Sequence, residues 1–406
     1  MATAGSVYTF GPFRLEADER RLLRDGQIVP LVGKAFDTLV ALVEGAGALQ
    51  KQRALVERLW PGVVVDPNNL QHSVSVVRRA LRGAPGVALQ TVRGQGYRLV
   101  AEVRRSEIRS GVRPAVPETA AFGAQRGYFC KAADGARLAY AKVGSGAPIV
   151  KAAHGLGHLE LDRGSPLWAP WIHLLSRTRC LVRYDLRGHG LSDREPPALS
   201  FDAFVSDLGA VFDAAGVERA PVLGISHGAA VAAAYAARHP ERVSGLVLIG
   251  GCARGWRAKG DPALIERFSA LMVLLRHGCG TLHAEFRQLI SAVFFPQAPQ
   301  HHIDWFSELQ RQTTTPANAA HLLSSMGDVN VGGELAAVRA PTLVLHSRGD
   351  MVVPMTDGIE LASGVPRARF VPLDSKNHVP HAEEPAWQQM TGEVATFLAE
   401  IGACAR

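Results

Sequence analysis

Three side chains in this sequence have the types and surroundings that nucleophilic catalysis needs. Ser226 lies in "GISHG", which follows the apolar run "APVL" and precedes "AAVAAAYAARHP". A strand, a sharp turn and a helix in that order expose a serine hydroxyl at the top of a sheet, and G-x-S-x-G in this setting is a strong signal. Gly224 and Gly228 suit a turn with no room for side chains. The hydroxyl needs a base, and the base needs an acid to orient it. Asp350 stands just beyond "PTLVLHS" and His378 just beyond "ARFVPLD". His381 is the alternative base, and Asp374 or Asp193 the alternative acid. "HGLG", residues 154–157, ends another apolar run, so the backbone N–H groups of Leu156 and His227 are expected to form an oxyanion hole. His158 and His189 read as pocket-wall or structural histidines, and so does His227, whose imidazole sits beside the nucleophile within reach of a ligand.

Such residues need a scaffold, and the second part of the chain supplies its pattern. "APIVKAAHG", "RCLVRYD", "APVLGIS", "VSGLVLIG", "PTLVLHS" and "ARFVPLD" alternate with helical segments. Runs that are apolar on both faces imply a mostly parallel sheet covered on both sides, with chemistry at the carboxyl ends of its strands. Between "VSGLVLIG" and "PTLVLHS" lies an insert rich in Trp256, Phe268, Leu271, Met272, Phe286, Phe294, Phe295, Trp305, Phe306 and Met326. Most of these are expected in a core and a minority around a lipophilic ligand.

The first quarter has a different character. Residues 1 to 113 hold 17 Lys and Arg against 10 Asp and Glu, while the rest of the 406-residue chain holds 27 of each. The basic excess is therefore local, as a polyanion-binding segment requires. Short strands around Asp25-Gly26 give way to helical periodicity in "GKAFDTLVALVEGAG" and "KQRALVERLWPG". A third helix follows Asp66-Pro67 and runs to Leu81, with Leu70, Val74, Val77 and Leu81 on one stripe and His72, Ser75, Val76 and Arg79 facing away. "LQTVRGQGYRLV" makes a hairpin with a basic tip.

In "FGPFRL", "LVGKAFDTLVALV", "LVERLWPGVVVD", "VVRRAL" and "TVRGQGYRLV" the sequence resembles the OmpR/PhoB-type winged helix-turn-helix domain over residues 7–103. The resemblance implies binding of double-stranded DNA, with the third helix in the major groove and the hairpin along the minor groove and backbone. Asn69, His72 and Ser75 are then candidates for base edges and Val76 for a thymine methyl. Arg78, Arg79, Arg93 and Arg98 are candidates for phosphates or a groove edge. The Ser226, Asp350, His378 order, with "HGLG" and "YDLRGHGLSD", resembles the α/β-hydrolase superfamily over residues 126–403. This implies an eight-stranded sheet with a helical cap at about 252–338. The fold class expected is thus multidomain: an α+β winged helix followed by a doubly wound, mostly parallel α/β sheet. Residues 104–125, with two prolines and no apolar period, read as the linker.

Several classes are excluded. No apolar run approaches the length of a membrane span and "MATAGSVYTF" is no export signal, so a cytoplasmic protein without a membrane partner is expected. Five cysteines without a C-x-x-C pair suit neither a disulfide framework nor a zinc site. His301 and His302 are adjacent, and neighbours on a helix point apart, so no metal and no cofactor is placed. Two functions stay open. One is a transcriptional regulator that senses a small lipophilic ligand, with cleavage of that ligand a compatible extension, working as a homodimer with RNA polymerase a further candidate partner. The other is a serine hydrolase of esters, thioesters or lactones with an accessory DNA-binding domain.

Overall fold

The computed structural model describes residues 6–404 except 18–20, 26, 30, 32, 46, 60–66, 93, 108–124 and 279–283. Two units, residues 1–117 and 118–406, each have their own core.

The first unit opens with an antiparallel meander of β1 (Ser6–Phe10), β2 (Phe13–Glu16), β3 (Arg21–Arg24) and β4 (Gln27–Val29). Helix α1 (Gly33–Glu44), strand β5 (Gln50–Lys51), helix α2 (Gln52–Leu59) and helix α3 (Pro67–Ala80) follow. Strands β6 (Ala88–Val92) and β7 (Gly96–Val100) form the hairpin, and β7 also pairs with β5. The stripe expected on α3 is buried at Leu70, Val74, Val77 and Leu81. Gly96 is required by the fold, because a Cβ there would lie 1.9 Å from the Gln50 carbonyl oxygen.

The linker begins later than its composition implies. Val103–Glu107 is a strand, β8, that pairs antiparallel with β1 from Phe10 and Val103 to Ser6 and Glu107. Arg104 to Glu107 therefore belong to the first unit, and the rest of the expected linker up to residue 124 lies outside the described residues.

The second unit is one sheet with helices on both faces. Its antiparallel edge is β9 (Arg126–Lys131) and β10 (Arg137–Val143), followed by β11 (Pro148–Lys151), α4 (Ala169–Ser176), β12 (Cys180–Tyr184) and α5 (Phe201–Ala214). Then come β13 (Ala220–Ile225), α6 (His227–Arg238) and β14 (Val243–Ile249). The cap consists of α7 (Pro262–Gly278), α8 (Ala284–Phe294), α9 (Gln300–Thr313) and α10 (Pro316–Asp328). Strand β15 (Thr342–Ser347), α11 (Met355–Gly364), β16 (Arg369–Leu373) and α12 (Pro385–Cys404) complete it. The strand order is β16-β15-β14-β13-β11-β12-β10-β9, and every pairing from β16 through to β12 is parallel.

Alternation along the strands divides the core in two. Val222, Leu246, Leu248 and Val344 face one side with Phe204, Val231 and Leu361, while Leu223, Ile225, Val247, Leu343 and Leu345 face the other with Trp171, Leu175, Met390 and Val394. Residues 229–236 of α6, mostly alanine, are all buried, so small side chains let this helix lie close on the sheet. Chain order reverses between β11 and β13, and in such sheets ligands gather at the carboxyl ends flanking that reversal.

Candidate active site

Ser226 is the single residue between β13 and α6, and its backbone is strained, at φ 54° and ψ −125°. Two glycines make the turn feasible. A Cβ on Gly224 would lie 2.5 Å from the Gly228 carbonyl oxygen, and one on Gly228 would lie 2.8 Å from that of Ala153. A serine N–H bond to the Ile249 carbonyl (2.8 Å) ties the turn to β14. The hydroxyl is thereby presented at the end of the sheet rather than inside α6, at a conformational cost of order 1–3 kcal/mol.

Beyond β15 and β16 the structure brings Asp350 and His378 together, with His378 Nδ1 2.6 Å from Asp350 Oδ2. The other carboxylate oxygen accepts the N–H groups of Val352 (2.8 Å) and Val353 (3.0 Å). Burial alone would raise the Asp350 pKa, but the charge of His378 and hydrogen bonds from His346, His378 and Val353 outweigh it. The carboxyl is held well below the usual carboxylate range. His378 Nε2 is buried without a hydrogen-bond partner, and the ring lies beside Gly250, directly after the β14 residue Ile249 whose carbonyl holds the serine turn. An open base-to-serine bond is common before substrate arrives.

His346 is the neighbour that sequence reading missed. Its Nε2 lies 3.5 Å from Asp350 Oδ2 and 2.8 Å from the Val353 carbonyl, in a fully buried position on β15. The alternatives are occupied elsewhere. Asp193 accepts the Arg137 backbone N–H (2.6 Å), and the His381 ring packs edge-on against His302.

The loop after β11 starts beside the serine turn. Ala152 N–H bonds the Leu223 carbonyl (2.9 Å), and Leu156 adopts a left-handed φ of 62°, which few leucines do. His227 is the first residue of α6, where backbone N–H groups lack partners within the helix. Its buried imidazole has no hydrogen-bond partner at either nitrogen, and burial lowers its pKa to about 4. His189 is likewise buried, its Nδ1 3.2 Å from the Arg187 carbonyl, and His158 Nδ1 accepts the Glu160 N–H. "YDLRGHG" is structural glue: Asp185 takes the N–H groups of Leu159 and Leu191, and Arg187 spans Asp134 and Asp207.

A cavity of about 370 Å³ opens on Ser226 and His227. Of the large apolar residues of the insert, Trp256, Phe268, Leu271, Phe294 and Met326 line it, whereas Phe295, Trp305 and Phe306 join the core beside the sheet. Trp256 and Phe268 stack at 5.4 Å, and Phe294 stands edge-on to His378 at 5.4 Å. Lys259, paired with Asp357, and Arg254, paired with Glu360, add polar spots to a mostly apolar wall that Arg267 also borders. The cap is seated by Thr313, Thr314 and Asn318, whose side chains donate to the carbonyls of Gly157 and Gly188.

In the first unit, Ser75 and Arg79 are exposed on α3 while Val76 is partly buried against the core. Arg78 is engaged by the hairpin, donating to the Leu89 carbonyl (3.3 Å) and Thr91 Oγ1 (2.9 Å). Arg98 is half-buried, with its Nε enclosed and unpartnered. Arg93 and the side chains of Asn69 and His72 lie outside the described residues.

A serine at a strained elbow between strand and helix, with an Asp–His pair after two later strands and a helical cap, defines a protein of the α/β-hydrolase class. The alpha/beta hydrolase fold model matches residues 149–385, and the chain belongs to that family. Residues 26–99 match the family described as transcriptional regulatory protein, C terminal, so an OmpR/PhoB-type DNA-binding domain precedes the hydrolase fold. Among curated relatives, the AB hydrolase superfamily protein YisY of Bacillus subtilis (strain 168) is 28% identical over 271 residues, covering 64% of this chain and 94% of that one. The 2-hydroxymuconate semialdehyde hydrolase of Pseudomonas sp. (strain CF600) is 29% identical over 276 residues, covering 64% and 90%. An esterase structure from Exiguobacterium antarcticum shares the fold, with a TM-score of 0.58 at 21% identity over 68% of this chain and 100% of that one. Among the described residues no helix is long and apolar enough to cross a membrane.

Proposed function

We propose that the chain is a transcriptional regulator whose α/β-hydrolase domain takes a small lipophilic molecule into the cavity over Ser226 and cleaves an ester, thioester or lactone bond in it. The observation that carries this reading is the apolar cavity opening on an elbow serine, in a chain that also bears a DNA-binding domain. His378 Nε2 takes the Ser226 proton, Asp350 fixes the ring through Nδ1, and the N–H groups of Leu156 and His227 receive the oxyanion. His378 passes that proton to the departing alcohol, thiol or ring oxygen as the acyl-serine forms, then takes a proton from the water that attacks the acyl carbon and returns it to Ser226 Oγ as the acid leaves. The neutral His227 ring, unpartnered beside the nucleophile, gives a polar ligand atom one hydrogen bond in a mostly apolar wall.

Ligand that binds one arrangement of the protein better than another shifts the population presented to DNA. We assign DNA contact to Ser75 and Arg79 of α3, together with Asn69, His72 and Arg93, and to a homodimer on paired half-sites in the cytoplasm. RNA polymerase is the natural further partner for an activator. The second reading, a hydrolase whose DNA-binding part is accessory, draws on the strong Asp350–His378 bond.

One experiment separates them. Purified full-length protein is used for DNA selection from a random pool, with and without a library of lipophilic esters and lactones, beside Ser226→Ala. A selected repeat whose occupancy changes with one compound is the expected result. No enriched sequence under any condition would give the hydrolase reading first place.

A further inference from the structure

Away from the Ser226 cavity, the cap meets the core at a second cluster of potential ligands. Adjacent histidines on a helix were expected to point apart, yet the rings of His301 and His302, in the first turn of α9, have centroids only 4.3 Å apart. Both reach one carboxylate oxygen of Glu383: Nε2 of His301 at 3.4 Å and Nε2 of His302 at 3.2 Å. We propose that His301, His302 and Glu383 bind a divalent transition-metal ion of the zinc class, tying cap helix α9 to the segment that follows His378.

The two histidine-to-glutamate spacings are those of a first coordination sphere. Ligand atoms about 2.0–2.1 Å from a tetrahedral ion lie about 3.3–3.4 Å from one another. One donor atom from each of the three residues falls within 4.8 Å of the other two. Two imidazoles and a carboxylate are ligands that zinc, cobalt and nickel accept readily, whereas magnesium and calcium prefer oxygen alone.

An independent observation points to a missing ligand. The His302 side chain is 1% exposed, and neither ring nitrogen makes a hydrogen bond despite the approach to Glu383. A buried imidazole without partners is costly, and an ion accepting its lone pair would satisfy it. His301 and Glu383 remain 58% and 54% exposed, leaving an entry path and a fourth position for water.

The surroundings are held in place as ligand supports usually are. His381 packs edge-on to His302 with ring centroids 4.8 Å apart, and its Nδ1 accepts the Glu383 N–H at 3.2 Å. Glu384 accepts the His381 N–H (2.8 Å) and the Asn377 side chain (3.1 Å). Asn377 in turn accepts the Gln297 N–H (3.0 Å), and His378 donates its own N–H to the Phe294 carbonyl (2.8 Å). An ion at this point staples α9 to a segment already bonded to the end of α8, and it takes no part in the chemistry at Ser226.

The test uses untagged full-length protein stripped with a chelator. Calorimetric titration with zinc chloride alone should show one saturable equivalent per chain, with a rise in Tm that the chelator reverses. Cobalt should give the intense visible absorption of a four-coordinate complex. His301→Ala and Glu383→Gln, both at exposed side chains and so compatible with folding, should each weaken zinc at least about tenfold and remove the cobalt band. Absence of saturable binding in the unaltered protein would overturn the proposal and leave a plain histidine–glutamate contact. Undiminished affinity in both variants would overturn it too, because the ion would then sit elsewhere.

Discussion

The α3 face and the Ser226 elbow both present polar groups to a ligand, by opposite means. On α3 a buried stripe of Leu70, Val74, Val77 and Leu81 leaves Ser75 and Arg79 exposed, each free to take its own rotamer. At the elbow nothing is free: the serine backbone is strained, glycines admit the neighbouring chain, and His378 is held by Asp350. Recognition of a polyanion sums many replaceable charges, whereas acyl transfer depends on a few fixed atoms. Substitutions should therefore act steeply in one region and gradually in the other.

The steepest effect is expected from Ser226→Ala. Turnover of a lipophilic ester should fall on the order of 10⁶-fold, and fluorophosphonate labelling should vanish, with DNA affinity in the absence of ligand unchanged. Retained turnover would take Ser226 out of the mechanism. Asp350→Asn should lower kcat about 10⁴-fold, since the imidazole loses its orienting charge.

The same residue makes a prediction about pH. The Asp350 carboxyl is depressed in the folded protein, so the unfolded chain holds that proton more tightly. Its stabilisation is complete above the unfolded carboxylate value of about 3.9 and is lost as pH falls through the lower folded value. Denaturation midpoints at pH 7 and pH 3 check this: the advantage of the parent protein over Asp350→Asn should shrink in acid.

Smaller effects follow from the walls and from α3. Phe268→Ala removes a ring stacked on Trp256 and should raise KM for bulky substrates about tenfold, leaving kcat nearly unchanged. Arg79→Ala should weaken binding to all DNA sequences by a similar or lesser factor and reduce the salt slope by about one. A loss confined to one sequence would make Arg79 a base reader. Arg78→Ala should act differently, loosening the hairpin that this arginine ties to α3.

What could be read from the sequence depended on how far each signal extends along the chain. The α3 stripe and the "GISHG" turn are local patterns, and the structure builds both as their periods imply. Strand β8 was invisible because its partner, β1, lies about ninety residues earlier and three of its five residues are charged. His346 hid inside an apolar strand run, and only folding sets it against Asp350. The angle between adjacent helical residues argued against a His301–His302 pair. It describes where side chains leave the helix, and two long rings can still converge on an acid from another element.

The pairing of β1 with β8 also bears on how such a chain can arise. The first and last described strands of the DNA-binding unit lie side by side, Ser6 opposite Glu107, so the strand that leads out of the unit adds to the edge of the sheet with which it starts. A module with adjoining ends is portable: it can be joined to an unrelated enzyme fold at one seam without breaking any of its internal pairings. The grammar of this protein is therefore additive, a reader of DNA spliced as a finished word in front of a hydrolase, and the same word could preface a different one.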